Sequence, residues 1–273
     1  MNSFYFQDMK IAEIVAWLES IAPPSLQENY DHVGLITGNQ VWECTGIVTS
    51  LDATEAVVME AIEKKCNLIV AHHPIIFGGL KKITGKNYVE QSIIAAIKND
   101  IAIYAIHTNL DNVLQGVNGK MADKLGLINR RVLQPKKDTP DNRQATIGSG
   151  LVGELPEPLT EAAFLALLKE RFGLSMLRYT ALTGKPVKTV ALCGGAGSFL
   201  IGAAIATGAG FYISSDIKYH EFFDANGRLV IADIGHYESE QFTIDLLFEL
   251  ISEKFLNFAI QKTGVKTNPV QYF

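Results

Sequence analysis

The chain has 273 residues, 48% of them hydrophobic and 19% charged, which is ample for one large or two medium α/β units and argues against disorder. A net charge of −5 without any run of Lys or Arg argues against a nucleic-acid surface, and no apolar stretch reaches the ~18 residues that a membrane span needs. Three scattered cysteines, Cys44, Cys66 and Cys193, and an N-terminus without a charged-then-apolar leader predict a cytoplasmic protein.

Asp8 is positioned to cap a first helix whose apolar residues Ile11, Ile14, Val15, Leu18 and Ile21 recur at helical spacing until Pro23-Pro24. Gly46 to Ser50 reads as a strand with Asp52 just past its end, and Thr54 to Lys65 as a helix. Leu68-Ile69-Val70-Ala71 is a short apolar run that reads as a buried strand and leads into His72-His73-Pro74. Pro74 donates no ladder hydrogen bond, so the strand stops there with the histidine pair at its carboxyl end. On an extended backbone the two rings point to opposite sides, which predicts one ring for each of two neighbouring ions. Gly78 to Lys82 is a loop with modest positive charge, and Asn87 to Asn99 a helix. Ile101 to Ile106 is a strand that ends in His107 and, four residues on, Asp111; Asn109 predicts a turn between them. Val117 to Leu125 is helical.

Residues 134–146 carry prolines and polar residues without periodicity and are the predicted linker between lobes at 1–133 and 147–273. Beyond it come a strand at 147–153, a helix over Leu159 to Phe172 closed by Gly173, and a strand over Val187 to Cys193. Gly194 to Ser198 then opens a helix, and strands follow at Phe211 to Ser214, ending at Asp216, and at Leu229 to Ala232, ending at Asp233. One long helix is expected from His236 to about Phe258, and β character around Pro269 to Tyr272. Strand-helix alternation in both halves predicts α/β layers with mostly parallel strands.

Four of the six histidines follow directly on predicted strand ends, and such ends lie along one edge of a parallel sheet, where ligands bind. His236 and Glu240 are at i and i+4 on one helix face. His72, His73, His107 and His236 with Asp111 and Glu240 make a nitrogen-rich shell that suits two divalent ions of Zn, Fe, Mn, Co or Ni and not Mg or Ca. The Gly194–Ser198 loop is a candidate phosphate cradle through backbone N–H groups such as that of Gly195, although it is neither GxGxxG nor a P-loop. Asp216 and Lys218 are candidates for substrate contact, Asp52 and Asp216 for groups behind the ligands, and Cys193 reads as a core residue.

The stretches YDHVGL (30–35), LIVAHHPIIF (68–77), AIHTNLDNVLQGVN (105–118), CGGAGSF (193–199), SSDIKYHEFFDANG (214–227) and ADIGHYESEQ (232–241) resemble the GTP cyclohydrolase 1 type 2 homologue family, also called NIF-three-like. The resemblance runs nearly from end to end. It implies two α/β lobes with a dinuclear metal site in the cleft between them, and a toroidal homohexamer. It implies His72, His73, Asp111, His236 and Glu240 as metal ligands, Glu240 in the bridging position, and His107 at a metal-proximal position. Longer relatives carry an inserted domain where this chain has only the 134–146 linker, and the family usually has Asn where this chain has His32. The expected activity is metal-dependent hydrolysis of a nucleotide or related phosphorylated small molecule, with Glu240 and Asp111 as the catalytic carboxylates. The alternative is a non-catalytic metal-handling or protein-interaction hexamer with the same ligands.

Overall fold

The computed structural model describes residues 9–136 and 146–273. The chain forms two compact units, one made of the chain up to Leu110 with Thr243–Thr267, the other of Asp111–Phe242 with Asn268–Phe273.

The first unit opens with α1 (Ile11–Ile21), which buries Ile11, Ile14, Val15 and Leu18, the residues of the expected apolar stripe. Lys10 stands at its N-cap and Glu13 accepts from the Lys10 amide; Asp8, the expected cap, lies outside the described residues. Then come β1 (Gly34–Thr37), β2 (Ile47–Ser50), α2 (Glu55–Glu63), β3 (Leu68–Ala71), α3 (Tyr88–Lys98), β4 (Ala102–Ala105) and a single helical turn, α4 (Thr108–Asp111). The sheet order is β1-β4-β3-β2 with a late strand, β11 (Ile260–Lys262), added beyond β2. All neighbours run parallel except β1 against β4. Strands β2, β3 and β4 are buried along their whole length, which is why they read as unbroken apolar runs. Ser50 pairs with Ala71 and Ala71 with Ala105, so three strand ends finish level. That register sets Asp52, His72, His73 and His107 along one edge. Val57, Val58 and Ala61 of α2 and Ile93 and Ala96 of α3 fill the core with Val48, Ile69 and Ile103.

The second unit contains α5 (Val117–Leu125), β5 (Ile128–Pro135), β6 (Gly148–Leu159), α6 (Glu161–Phe172), β7 (Arg178–Tyr179), β8 (Val187–Ala196), α7 (Ile201–Ala206), β9 (Phe211–Ser215), a 3-10 turn at Tyr219–Ala225, β10 (Val230–Asp233) and α8 (His236–Glu240). The sheet order is β5-β6-β8-β9-β10-β7. Its centre, β8-β9-β10, is parallel; β5, β6 and β7 join antiparallel. Both faces are covered, one by Phe164, Leu168 and Phe172 of α6 with Met121 of α5, the other by Ile201 and Ala204 of α7.

Several elements differ from the sequence reading. The helix expected from His236 to about Phe258 is two helices, α8 and α9 (Thr243–Lys254). Phe242 is held in the second unit, its ring 5.8 Å from Phe172 and under the Lys124 ammonium at 3.9 Å, whereas α9 and β11 belong to the first unit. One apolar stripe cannot serve two cores, so the helix breaks at 241–242. No strand forms around Pro269; the late strand is β11, which extends β2. The edge strands β1, β5 and β7 were not legible, and β5 has no alternating burial to betray it. The predicted linker begins inside β5, and residues 137–145 of it lie outside the described residues. The chain passes from the first unit to the second at Leu110–Asp111 and returns at Phe242–Thr243.

Candidate metal centre

In the first unit, β3 ends at Ala71 and the chain bends at His72 and His73, so strand alternation no longer applies there. The two rings come together instead of diverging: their centroids are 5.0 Å apart, and His107 joins them at 5.1 and 5.4 Å. One ligand atom from each ring lies within 4.8 Å of the other two. This corrects the expectation of opposed rings.

The reason for the rings' orientation lies behind them. Nδ1 of His72 meets the Ile106 carbonyl at 2.9 Å and Nδ1 of His73 meets Asp52 at 2.7 Å, while Asp31 lies 2.9 Å from Nδ1 of His107 as an ion-pair contact out of line for a hydrogen bond. An acceptor at Nδ1 fixes the tautomer with the proton there and the lone pair on Nε2, the arrangement found in histidines that bind metals. Asp31 also accepts from the Thr108 amide and hydroxyl and the His32 amide. Burial opposes its ionisation, but the close His107 ring, the bonds from Thr108 and the charge of His107 hold the carboxyl well below the usual range. Asp52 is lowered in the same way, burial being outweighed by His73, with further support from the Thr267 hydroxyl. The His32 ring is exposed, and its backbone amide is what enters this network.

In the second unit, β9 and β10 end beside each other, with Asp233 opposite Ser214. This sets Asp216 near His236: its carboxylate meets Nδ1 at 2.6 Å, while Nε2 lies 3.0 Å from Glu240, one helical turn on. Burial lowers the His236 pKa, but the bonds to Asp216 and Glu240 and their charges overcome this and push it up to about 11. Asp216 is lowered, by the His236 bond first. With a carboxylate at each ring nitrogen, this is a place for positive charge. Glu240 is buried beside β8, and its close approach depends on Gly195. That residue has φ +64°, and a Cβ there would sit 2.3 Å from Glu240 Oε1. Asp111 and Glu240 both act on Cys193, whose thiol is driven up by burial and by these two charges, as befits a core residue.

The chemistry of the donors fits divalent transition metals: three clustered imidazoles in the first unit, and an imidazole beside carboxylates in the second. The amides of Gly194 and Gly195, which a phosphate cradle would use, donate to Asn118 and Ser239. Lys218 is exposed at the start of the 3-10 turn, its amide bonded to Glu221. Sequence reasoning named Asp52 and Asp216 as groups behind the ligands but missed Asp31, Thr108 and Ser239. Asp31 is 76 positions from the ring it orients, and the only local signal was an acidic residue in a short polar-apolar junction.

Asp31→Ala should take the ion-pair partner from the His107 ring and the acceptor from two Thr108 donors and the His32 amide at once. The expected cost is about 3 kcal/mol or more of stability, by urea denaturation. Zinc affinity at the histidine cluster should fall by roughly 10–100-fold in titrations.

Comparisons with known proteins agree in direction. A family model described as Duf34/NIF3 (NGG1p interacting factor 3) matches residues 9–269. A Clostridium perfringens protein named GTP cyclohydrolase 1 type 2 homolog is 36% identical over 247 residues, 90% of this chain and 92% of that one. A protein of the same name from Clostridium acetobutylicum is 34% identical over 260 residues, 95% of this chain and 94% of that one. The crystal structure of a Staphylococcus aureus protein superposes with a TM-score of 0.88 at 28% identity, covering 97% of this chain and all of that one. Among the described residues, no helix is long and apolar enough to cross a membrane.

Proposed function

Because the chain belongs to the Duf34/NIF3 family, we propose that it is a dinuclear metal-binding hydrolase of a nucleotide or related phosphorylated small molecule. His72, His73, His107, Asp111, His236 and Glu240 are the proposed ligands. The observation that carries this reading is the clustering of His72, His73 and His107, one ligand atom of each lying within 4.8 Å of the others, with acceptors at Nδ1 of His72 and His73 at 2.9 and 2.7 Å. Metal ions bound there would supply Lewis acidity and a water acidified toward neutral pH.

The chain's own residues supply the rest. Asp31, Asp52 and Asp216 hold the ligand rings in place and raise their basicity. Glu240 and Asp111 are the proposed catalytic carboxylates. Asp216 and Lys218 are the proposed contacts to substrate, with Lys218 bringing positive charge to a phosphate; Gly195, whose amide is committed to Ser239, serves by letting Glu240 approach. A toroidal homohexamer in the cytoplasm belongs to the same reading, on the strength of the family resemblance.

The test is phosphate or ring-opened product release from a panel of nucleotides by the full chain reconstituted with zinc, manganese or iron. Turnover by the wild type and none by Glu240→Ala is the expected result. Metal bound in stoichiometric amount with no turnover across the panel would favour the metal-handling reading instead.

A further inference from the structure

Helix α8 (His236–Glu240) is five residues long and carries a proposed ligand at each end. A helix of about one and a half turns does not keep its shape in water without outside contacts. No side chain caps its N-terminus. Ser239 accepts from the Gly195 amide at 3.0 Å, and Gln241, just beyond the helix, donates to the Phe172 carbonyl at 3.2 Å. Glu238 stands two positions from either ligand and so faces away from both. It meets residues 268–272, which belong to the same unit. The Asn268 amide group donates to Glu238 Oε1 at 2.9 Å, and the Asn268 side-chain oxygen accepts from the Val270 amide at 3.0 Å. Asn268 is buried, so both ends of its side chain are committed inside the fold. The Tyr272 hydroxyl lies at the same carboxylate. Burial first, then the charge of Glu238 and its hydrogen bond, raise the phenol's pKa, so it keeps the proton it offers to Glu238. Gly235 makes room for this contact. It has φ +92°, and a Cβ there would stand 2.3 Å from Glu238 Oε2 and 3.0 Å from the Tyr272 hydroxyl. The residue before Asn268 stands behind a ligand of the first unit: the Thr267 hydroxyl bonds to Asp52, which meets Nδ1 of His73 at 2.7 Å.

We propose that residues 267–272 are a positioning segment for the candidate metal ligands: Asn268 and Tyr272 grip Glu238 on the back of α8 and so set the pose of His236 and Glu240 before an ion arrives, while Thr267 steadies Asp52 behind His73. The inference rests on the metal-binding part of the reading above. Ligands ordered in advance spare the ion the cost of ordering them, and groups behind ligands commonly govern affinity by roughly 10–100-fold. Here the support acts on a short helix as well as on a ring. It also accounts for the stretch around Pro269 that was expected to be a strand. Pro269 has no amide to give to a ladder, and the polar groups beside it go to a side chain of α8 instead.

The test uses the full chain with Co²⁺ as the probe. Asn268→Ala and Tyr272→Phe should each speed amide hydrogen exchange over α8 in the metal-free protein by roughly tenfold, and weaken cobalt binding by roughly tenfold or more with an altered visible spectrum. Asn268→Asp sets two carboxylates against each other and should do more. Adding Glu238→Gln to it reverses donor and acceptor and should restore both exchange and spectrum. Thr267→Val is the control, since its contact is to Asp52: exchange over α8 should stay at the wild-type rate. Wild-type exchange over α8 in Asn268→Ala and Tyr272→Phe, or unchanged cobalt affinity and spectrum, would overturn the proposal, as would failure of the reversed pair to recover. Faster exchange throughout the second unit, or over α8 in Thr267→Val as well, would reduce the segment to general stability and overturn it too. Exchange is read without metal, so the two readings fail separately. A wild type that takes up no cobalt sinks the metal centre, and unchanged exchange over α8 sinks the positioning segment.

Discussion

Wild-type protein purified without a tag should carry about two transition-metal equivalents per chain, and His72→Ala and Glu240→Ala should each lose them, by mass spectrometry. The effect is expected to exceed the roughly 10–100-fold that losing an outer partner costs, since these are proposed as the ligands themselves. His72 is fully buried at the centre of the three-ring cluster, with its Nδ1 on the Ile106 carbonyl, so no neighbouring group can swing in to replace it. Glu240 is also buried, and it is the carboxylate partner of His236 Nε2. Removing it takes the carboxylate away from His236 Nε2. A wild-type chain that takes up no zinc, iron or manganese even on reconstitution would defeat the hydrolase and the metal-handling readings together and reduce the histidines to structural roles.

The second large effect is expected from one methyl group. Gly195→Ala puts a Cβ 2.3 Å from Glu240 Oε1 and 3.4 Å from the His236 ring, at a φ of +64° that only glycine adopts without strain. The backbone part costs roughly 1–2 kcal/mol. The contact itself falls on the end of the Glu240 side chain, which yields by leaving its place against His236. The expected variant is therefore folded, slightly less stable in urea, and unable to hold metal at the His236–Glu240 pair. Full metal content in Gly195→Ala would show that the position of the Glu240 carboxylate does not govern binding. Gly126→Ala is the matched control, since it has nearly the same φ of +64° and nothing within 4 Å of the added atom. It should cost similar stability and leave the metal untouched.

Much of this protein was legible in local sequence. Fully buried parallel strands leave unbroken apolar runs, so β2, β3, β4, β9 and β10 were found close to their ends, and with them the histidines that follow. Helices with a strong apolar stripe, such as α1 and α5, were found for the same reason. The i, i+4 relation of His236 to Glu240 is a property of any helix and needed no tertiary information. The nitrogen-rich ligand chemistry follows from residue types alone.

Only the tertiary structure decided the rest, because the remaining relations join residues far apart in the chain or depend on which core an element serves. Asp31 and His107 meet across 76 positions, Asp52 and His73 across 21, and Asp216 and His236 across 20. Such pairs leave no periodic trace. Edge strands β1, β5 and β7 are defined by the neighbour they hydrogen-bond and not by their own side chains. The break between α8 and α9 separates residues that share one helical pattern but belong to different units. His72 and His73 were expected to diverge because an ideal strand alternates; the strand ends one residue before them, and the register of three level strand ends brings their rings to the same place.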